Sequence, residues 1–267
     1  MDPSQLTEIT AVAKDAAIAG GRELLRWRGK FKTREKGAAD FVTDADLASQ
    51  EAIQRIVAER FPSHLFVGEE SDGGALDAAQ RDTESFCWVV DPLDGTTNYV
   101  HDFPSYAVSI AVAQAGKPIA ASIYDPLRDE LYWAQKGAGA WLGDGRLETG
   151  SAATLGEGLV AISLPPSNVG DSKDFRDLFQ IGPQCRAVRR IGSAALNLAY
   201  VAAGRLDAYW ARDIYPWDVA AGVLLVTEAG GVATSIDGNE FYVWRPACIA
   251  CCGDAIYRQL FAELSAE

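Results

Sequence analysis

The segment Trp88-Val89-Val90-Asp91-Pro92-Leu93-Asp94-Gly95-Thr96-Thr97-Asn98 constrains this chain more than any other. The apolar run from Cys87 to Val90 reads as a buried strand, which Pro92 is expected to stop. Asp91 and Asp94 then share the turn that follows. Gly95 lets the backbone approach a ligand closely, and Thr96 and Thr97 can open a helix whose free N–H groups face an anion. Carboxylates select hard divalent cations such as Mg²⁺, whereas helix N–H groups select phosphate oxygens. Acids beside a phosphate cradle make chemical sense when a metal ion lies between them. The competing reading is a strand followed by an acidic turn.

Composition narrows the partners. The formal net charge of −13 argues against general nucleic-acid binding and against an anionic membrane surface. The same field would repel a phosphate substrate, and bound cations answer that difficulty by inverting the local charge. With 267 residues, 48% of them hydrophobic, the chain can bury a sizeable core as one large domain or two fused halves. No apolar run reaches the roughly 18 residues that span a bilayer, and Met1 to Gln5 lack a secretory pattern. An odd number of cysteines, five, argues against a disulfide framework, so a cytoplasmic location is expected. Cys248-Ile-Ala-Cys251 has half the spacing of a zinc site. It has no second pair, and the only histidines are His64 and His101, so an apolar strand from Ala247 to Cys252 is the expected reading.

Along the chain, Asp2 or Ser4 can cap a first helix that ends near Trp27. The basic stretch from Arg28 to Gly37 reads as an exposed loop. Thr43 starts a second helix running to about Arg60, and Thr43-Asp44-Ala45-Asp46 is a capping box that gives Asp46 a structural role. Leu65 to Val67 is a short strand with Glu69 and Glu70 at its end. Adjacent side chains on an extended chain point opposite ways, so one glutamate at most should face a metal. Residues from Ser71 to Ser85 read as surface loop or short helix. From Ser105 to Thr149 alternation and turn signals predict an antiparallel sheet, and beyond Ser151 strands and helices alternate in an α/β pattern. In that second half Gly192-Ser193 opens an Ala-rich helix, and Trp217-Asp218 begins another, for which Asp218 is a candidate N-cap.

Asp91-Pro-Leu-Asp94-Gly-Thr-Thr-Asn98 resembles the signature of the inositol monophosphatase family of Mg²⁺-dependent, lithium-sensitive phosphatases. Gly68-Glu69-Glu70-Ser71 upstream and Trp217-Asp218-Val219-Ala220-Ala221-Gly222 downstream extend the resemblance from about Lys36 to the C-terminal helix. It implies a mixed α+β and α/β fold, the layered αβαβα sandwich shared with fructose-1,6-bisphosphatase. An N-terminal half, 1–149, would carry most metal ligands, and a C-terminal half, 150–267, would close the cleft.

By the same resemblance Glu69, Asp91 and the Leu93 carbonyl would bind one Mg²⁺, and Asp91, Asp94 and Asp218 a second. A third ion would involve the loop near Lys36, which closes over the site in the family. Asp46 and Thr96 would activate the attacking water, a role that competes with the helix cap for the Asp46 side chain. Substrate contacts would come from Asp94, Gly95, Thr96, Gly192, Ser193, Ala194, Ala211 and Asp218. The implied substrate is a small phosphorylated metabolite, hydrolysed by water without a phosphoenzyme, in a homodimer with no nucleic-acid or membrane partner. Alternatives on the same scaffold are histidinol-phosphate, fructose-1,6-bisphosphate and nucleoside 3′-phosphate hydrolysis, and a non-catalytic regulatory or binding scaffold. The chain departs from the family at Ala211, where members that favour inositol phosphates commonly carry a glutamate, and at Pro165-Pro166. A broad specificity with weak inositol preference is therefore expected.

Overall fold

Asp2 caps the first helix, accepting a hydrogen bond from the Ser4 N–H at 3.1 Å, and Pro3 occupies the first turn, where an N–H has no partner to lose. The computed structural model describes residues 2–37, 40–71, 73–81, 84–164 and 173–266; the side chains of 35–41, 73 and 81 lie outside that description. Helix α1 (Pro3–Trp27) is followed by β1 (Thr33–Gly37) and β2 (Asp40–Thr43), an antiparallel hairpin in the stretch expected to be loop. Thr43, Val42 and Phe41 are β-formers that outweigh the basic composition. Then come α2 (Asp44–Arg60), β3 (Leu65–Gly68), α3 (Gly73–Arg81), β4 (Cys87–Asp94), α4 (Thr96–Val100), β5 (Ala107–Gln114), β6 (Lys117–Asp125), β7 (Glu130–Gln135), β8 (Gly139–Leu142) and β9 (Gly145–Arg146). The remainder is β10 (Leu159–Ile162), α5 (Lys173–Ile181), β11 (Ala187–Arg189), α6 (Ala194–Ala202), β12 (Ala208–Ala211), α7 (Pro216–Glu228), β13 (Val232–Ser235), β14 (Cys248–Cys251) and α8 (Asp254–Ser265).

Strands β3 to β9 form one seven-stranded sheet in sequence order, antiparallel except for the β3–β4 pair. The second sheet has five strands in the order β11-β10-β12-β14-β13. It is mixed: β10 runs parallel to both β11 and β12, but β14 is antiparallel to β12 and β13. Helices α1 and α2 cover one face of the large sheet, and α6 and α7 fill the space between the sheets. The outer face of the small sheet packs on α8. These are the five layers α, β, α, β, α. Strands β4 and β5 are covered on both faces, which is why they read as unbroken apolar runs instead of alternating ones.

Cys248 and Cys251 lie on interior strand β14, three residues apart, and so face opposite sides of the sheet. Cys248 joins the core between the sheets and Cys251 the core beneath α8, so the pair cannot grip one ion. Among the described residues, no helix is long and apolar enough to cross a membrane.

Candidate metal centre

Pro92 does not stop β4. Asp91 pairs with Ser109 and Asp94 with Ala107, so three steps on β4 span two on β5. One extra residue makes a bulge, the ordinary refuge for a proline inside a sheet. The bulge decides the chemistry. Residues three apart on a regular strand point to opposite faces, and the extra residue turns Asp91 and Asp94 to the same side. With Asp218 they form a group whose carboxylate oxygens lie within 4.8 Å of one another. Ser49 on α2 holds the bulge by donating to the Pro92 carbonyl at 2.8 Å, and Asp91 accepts from the Leu93 N–H at 2.9 Å.

The other two acids are fixed by helix starts in the second half. Asp94 accepts from the N–H groups of Ala194 at 3.2 Å and Ala195 at 2.7 Å, and from the Ser193 hydroxyl. It thereby satisfies the first turn of α6 from outside that helix. Asp218 is not the N-cap of α7. It sits one turn in and accepts from the Tyr215 N–H at 2.9 Å, while Ser109 of the large sheet donates to the Trp217 carbonyl at 3.0 Å.

Burial raises all three carboxyls: Asp94 to about 6, Asp218 to about 7, and Asp91 well above the ordinary value, with Glu69, Asp94 and Asp218 as neighbouring charges pushing the same way. Buried oxygen donors, with neighbouring acids raising Asp91 and Asp94 raising Asp218, fit a hard divalent cation of the Mg²⁺ type. Glu69 lines the same cleft, of about 240 Å³, but stands outside the tight group of three. It follows β3 in a turn, not on extended chain, with its N–H bonded to the Val90 carbonyl. The Glu70 N–H donates to Gln50 of α2 at 3.0 Å, and the Glu70 charge falls on Asp46.

Asp46 holds two partners at once. Its Oδ2 accepts from the Thr43 N–H at 2.9 Å and from the Thr43 hydroxyl, completing the capping box. Its Oδ1 faces the Thr96 hydroxyl at 3.3 Å, which also lies 3.0 Å from the Leu93 carbonyl. The cap and the Thr96 contact therefore use different oxygens and do not compete. Burial pushes the Asp46 carboxyl up to about 6.

Gly95 has φ 96°, and a Cβ there would meet the Ser105 and Gly192 carbonyls at 3.0 and 3.2 Å. Gly192, at φ 82°, abuts Asn98, whose amide donates to Ser105 O at 2.7 Å and Ile191 O at 2.9 Å. The Gly95 turn and the Gly192-Ser193 turn are thus locked together. Gly192 and Ala194 line the cleft, and Ser193 is buried behind Asp94. Ala211 corrects an expectation: it is wholly buried at the end of β12, paired with Cys248, because the strand is still inside the sheet there. The residues of that connection that line the cleft are Asp213, Ile214 and Tyr215. The Lys36 side chain and Pro165-Pro166 lie outside the described residues.

Sequence reasoning missed Ser49, Gln50 and Asn98. Ser49 and Gln50 follow Asp46 at helical i+3 and i+4 spacing, a polar stripe on the inner face of α2 that was available as a signal. Asn98 stood inside the motif with no role assigned.

The model of the inositol monophosphatase family matches residues 5–266. An inositol-1-monophosphatase of Caulobacter vibrioides is 37% identical over 258 residues, 94% of this chain and 99% of that one. The Nus factor SuhB of Vibrio cholerae is 39% identical over 80% of this chain and 79% of its own. The crystal structure of the extragenic suppressor protein suhB from Bartonella henselae superposes with a TM-score of 0.88 at 35% identity, covering 97% of this chain and 98% of that one.

Proposed function

Starting from a chain that belongs to the inositol monophosphatase family, we infer that this protein is a Mg²⁺-dependent phosphatase of small phosphate monoesters. The observation that carries the reading is the convergence of Asp91, Asp94 and Asp218, from a bulged strand and a helix start, on one oxygen-lined point. Asp91 would bridge two ions, with Glu69 and the Leu93 carbonyl completing one set and Asp94 and Asp218 the other; a third ion would lie toward Lys36. Divalent ions held there would neutralise phosphate oxygens and supply hydroxide near neutral pH. Residues 1–149 and 150–267 then act as halves of one catalytic unit.

The protein's own groups do the rest. Gly95 and Thr96 N–H groups, at the first turn of α4, are free of intrahelical partners and suit the phosphate oxygens. The Thr96 hydroxyl has one proton, which it can give either to Leu93 O or to Asp46, leaving its lone pairs to orient a water. Asp46, with a carboxyl near 6, is ionised at neutral pH and basic enough to draw a proton through Thr96. Gly192, Ser193, Ala194 and Asp218 would border the alcohol half of the ester, and Asp94 its metal-facing oxygen. Inhibition by Li⁺, a homodimer and a cytoplasmic setting belong to the same reading, as does a small phosphorylated metabolite as the physiological substrate.

A second reading is a regulatory scaffold, favoured by relatives that carry the name Nus factor. Retention of Glu69, Asp91, Asp94, Asp218 and the Asp46–Thr96 contact supports catalysis, since a scaffold has no need of them. The deciding experiment is a phosphate-release screen over inositol 1-phosphate, glycerol 2-phosphate, histidinol phosphate, fructose 1,6-bisphosphate and a nucleoside 3′-phosphate with Mg²⁺. Turnover of several is expected. Release from none, with a purified folded protein, would leave the scaffold reading.

A further inference from the structure

At the far end of α7 from the metal centre lies a second cavity, of about 170 Å³. Asp218 sits in the first turn of α7, whereas Val223, Leu224, Thr227 and Glu228, farther along the same helix, line this cavity. At about 1.5 Å of rise per residue, roughly 8–15 Å of helix separates the two sites. The floor is apolar: Val223, Leu224 and Phe241 are buried, and Pro118 and Ala233 complete it. Its walls are preformed. The segment that carries Phe241, between β13 and β14, is docked on the β5–β6 turn. There the Val243 N–H donates to the Gly116 carbonyl at 2.9 Å, and a Cβ at Gly116 would run into the Tyr242 ring. An apolar cavity of about 150 Å³ accommodates one benzene ring, so the space is right for a single aromatic group.

The polar groups of the rim are committed, with one exception. The Thr227 hydroxyl donates to the Val223 carbonyl at 2.9 Å, and Glu228 accepts from the Gly137 and Gly139 N–H groups at 2.8 and 2.9 Å. Lys117 donates to both oxygens of Glu240, at 2.6 and 2.7 Å. That bond and the Lys117 charge, with Lys136 near by, hold the Glu240 carboxyl below its ordinary value. Lys136 itself is exposed, and its ammonium has no partner among the described residues. Both rim acids thus have their donors, and what the rim lacks is an acceptor for Lys136. An apolar floor alone would take any small hydrophobe; an ammonium without an acceptor selects an anion. We propose that this cavity is a binding site for a small aromatic carboxylate, with its ring against Val223, Leu224 and Phe241 and its carboxylate toward Lys136. The site contains none of the candidate metal ligands and does not depend on the phosphatase reading.

The test is a saturation-transfer NMR titration of the full-length protein with benzoate, in Mg²⁺ and again in EDTA. Benzyl alcohol and benzylammonium serve as neutral and cationic probes of the same size. Saturable benzoate binding is expected below about 5 mM, as befits a ligand this small, with the same Kd in both buffers and weaker binding of the other two probes. Ala233→Phe, which fills the cavity from β13, should weaken benzoate binding by at least about tenfold. Lys136→Glu changes only an exposed side chain and so keeps the fold; it should weaken benzoate by about three- to tenfold and leave benzyl alcohol unchanged. Benzoate binding that vanishes in EDTA would place the ligand on the metal centre and overturn the proposal. So would benzylammonium binding as tightly as benzoate, no saturation by benzoate, or a Kd within about twofold of the parent in Lys136→Glu.

Discussion

The floor and the wall of the cleft are held in opposite ways. On the floor, Asp91 and Asp94 are buried, and their oxygens accept from backbone N–H groups of Leu93, Ala194 and Ala195. On the wall, the connection of residues 212–215 between β12 and α7, Asp213 is exposed and Arg212 grips acids 35 and 38 residues away at Asp177 and Asp174. Backbone donors leave the floor little freedom to vary without refolding β4 or the start of α6. A side-chain clamp can be exchanged while the chemistry below it stays intact. The contrast predicts that floor variants lose turnover of every ester alike, whereas wall variants change the ranking of esters.

The largest effect is expected at Asp91. Asp91→Asn keeps the shape and removes the charge that would bridge two cations; a loss of several kcal/mol of charge stabilisation corresponds to a rate reduction on the order of 10³-fold. Its fold should survive, because removing one of several crowded carboxylates relieves repulsion in the metal-free protein. Next is Asp46. Asp46→Asn can still cap α2 with its amide oxygen but loses the acceptor facing Thr96, so activity should fall by about 10²-fold with little change in melting temperature. Thr43→Val is its counterpart, expected to cost about 1 kcal/mol of stability and little rate. A pair of variants in which stability and rate fall together would mean that the two oxygens of Asp46 are not separable.

On the wall, Arg212→Met leaves Asp177 buried without its guanidinium and should destabilise the protein by about 3–5 kcal/mol in chemical denaturation. A smaller effect concerns pH. In the metal-free fold, burial holds Asp94 near 6, Asp218 near 7 and Asp91 well above its ordinary value, while the unfolded chain releases those protons near 3.8. The folded state therefore binds more protons across that window, and stability is full below it and lost as pH rises toward about 7. In EDTA the melting temperature should drop by roughly 3–8 °C between about pH 5 and pH 8. Mg²⁺ should recover more of it at the higher pH. A melting temperature that rises over this window in EDTA would mean that the acids are not held together as described.

The floor was legible in the sequence because its parts are contiguous. Asp91, Asp94, Gly95 and Thr96 occupy six residues, and Asp218 follows a tryptophan at a helix start. The bulge was not legible: Pro92 suggested an end to β4, and only pairing with Ser109 and Ala107 reveals that the strand resumes. The five layers followed from the resemblance, while the β1–β2 hairpin and the antiparallel β14 in the small sheet did not follow from composition or alternation. Arg212 looked solvated because Asp174, Asp177 and the Leu264 carbonyl approach it only through tertiary packing. The clamp is assembled from three separate places along the chain, α5, Arg212 and the end of α8, and no local pattern encodes it.

The central claim is that the buried carboxylates of the floor work by holding divalent cations for phosphate-ester hydrolysis. It is tested most directly by measuring inorganic phosphate release from inositol 1-phosphate and phenyl phosphate, first in EDTA and then in saturating Mg²⁺, for the parent and Asp91→Asn side by side. The account predicts release by the parent only with Mg²⁺, and loss of both activities by a similar factor in Asp91→Asn. Release by the parent at an equal rate in EDTA, or by Asp91→Asn at the parent rate in Mg²⁺, would contradict it.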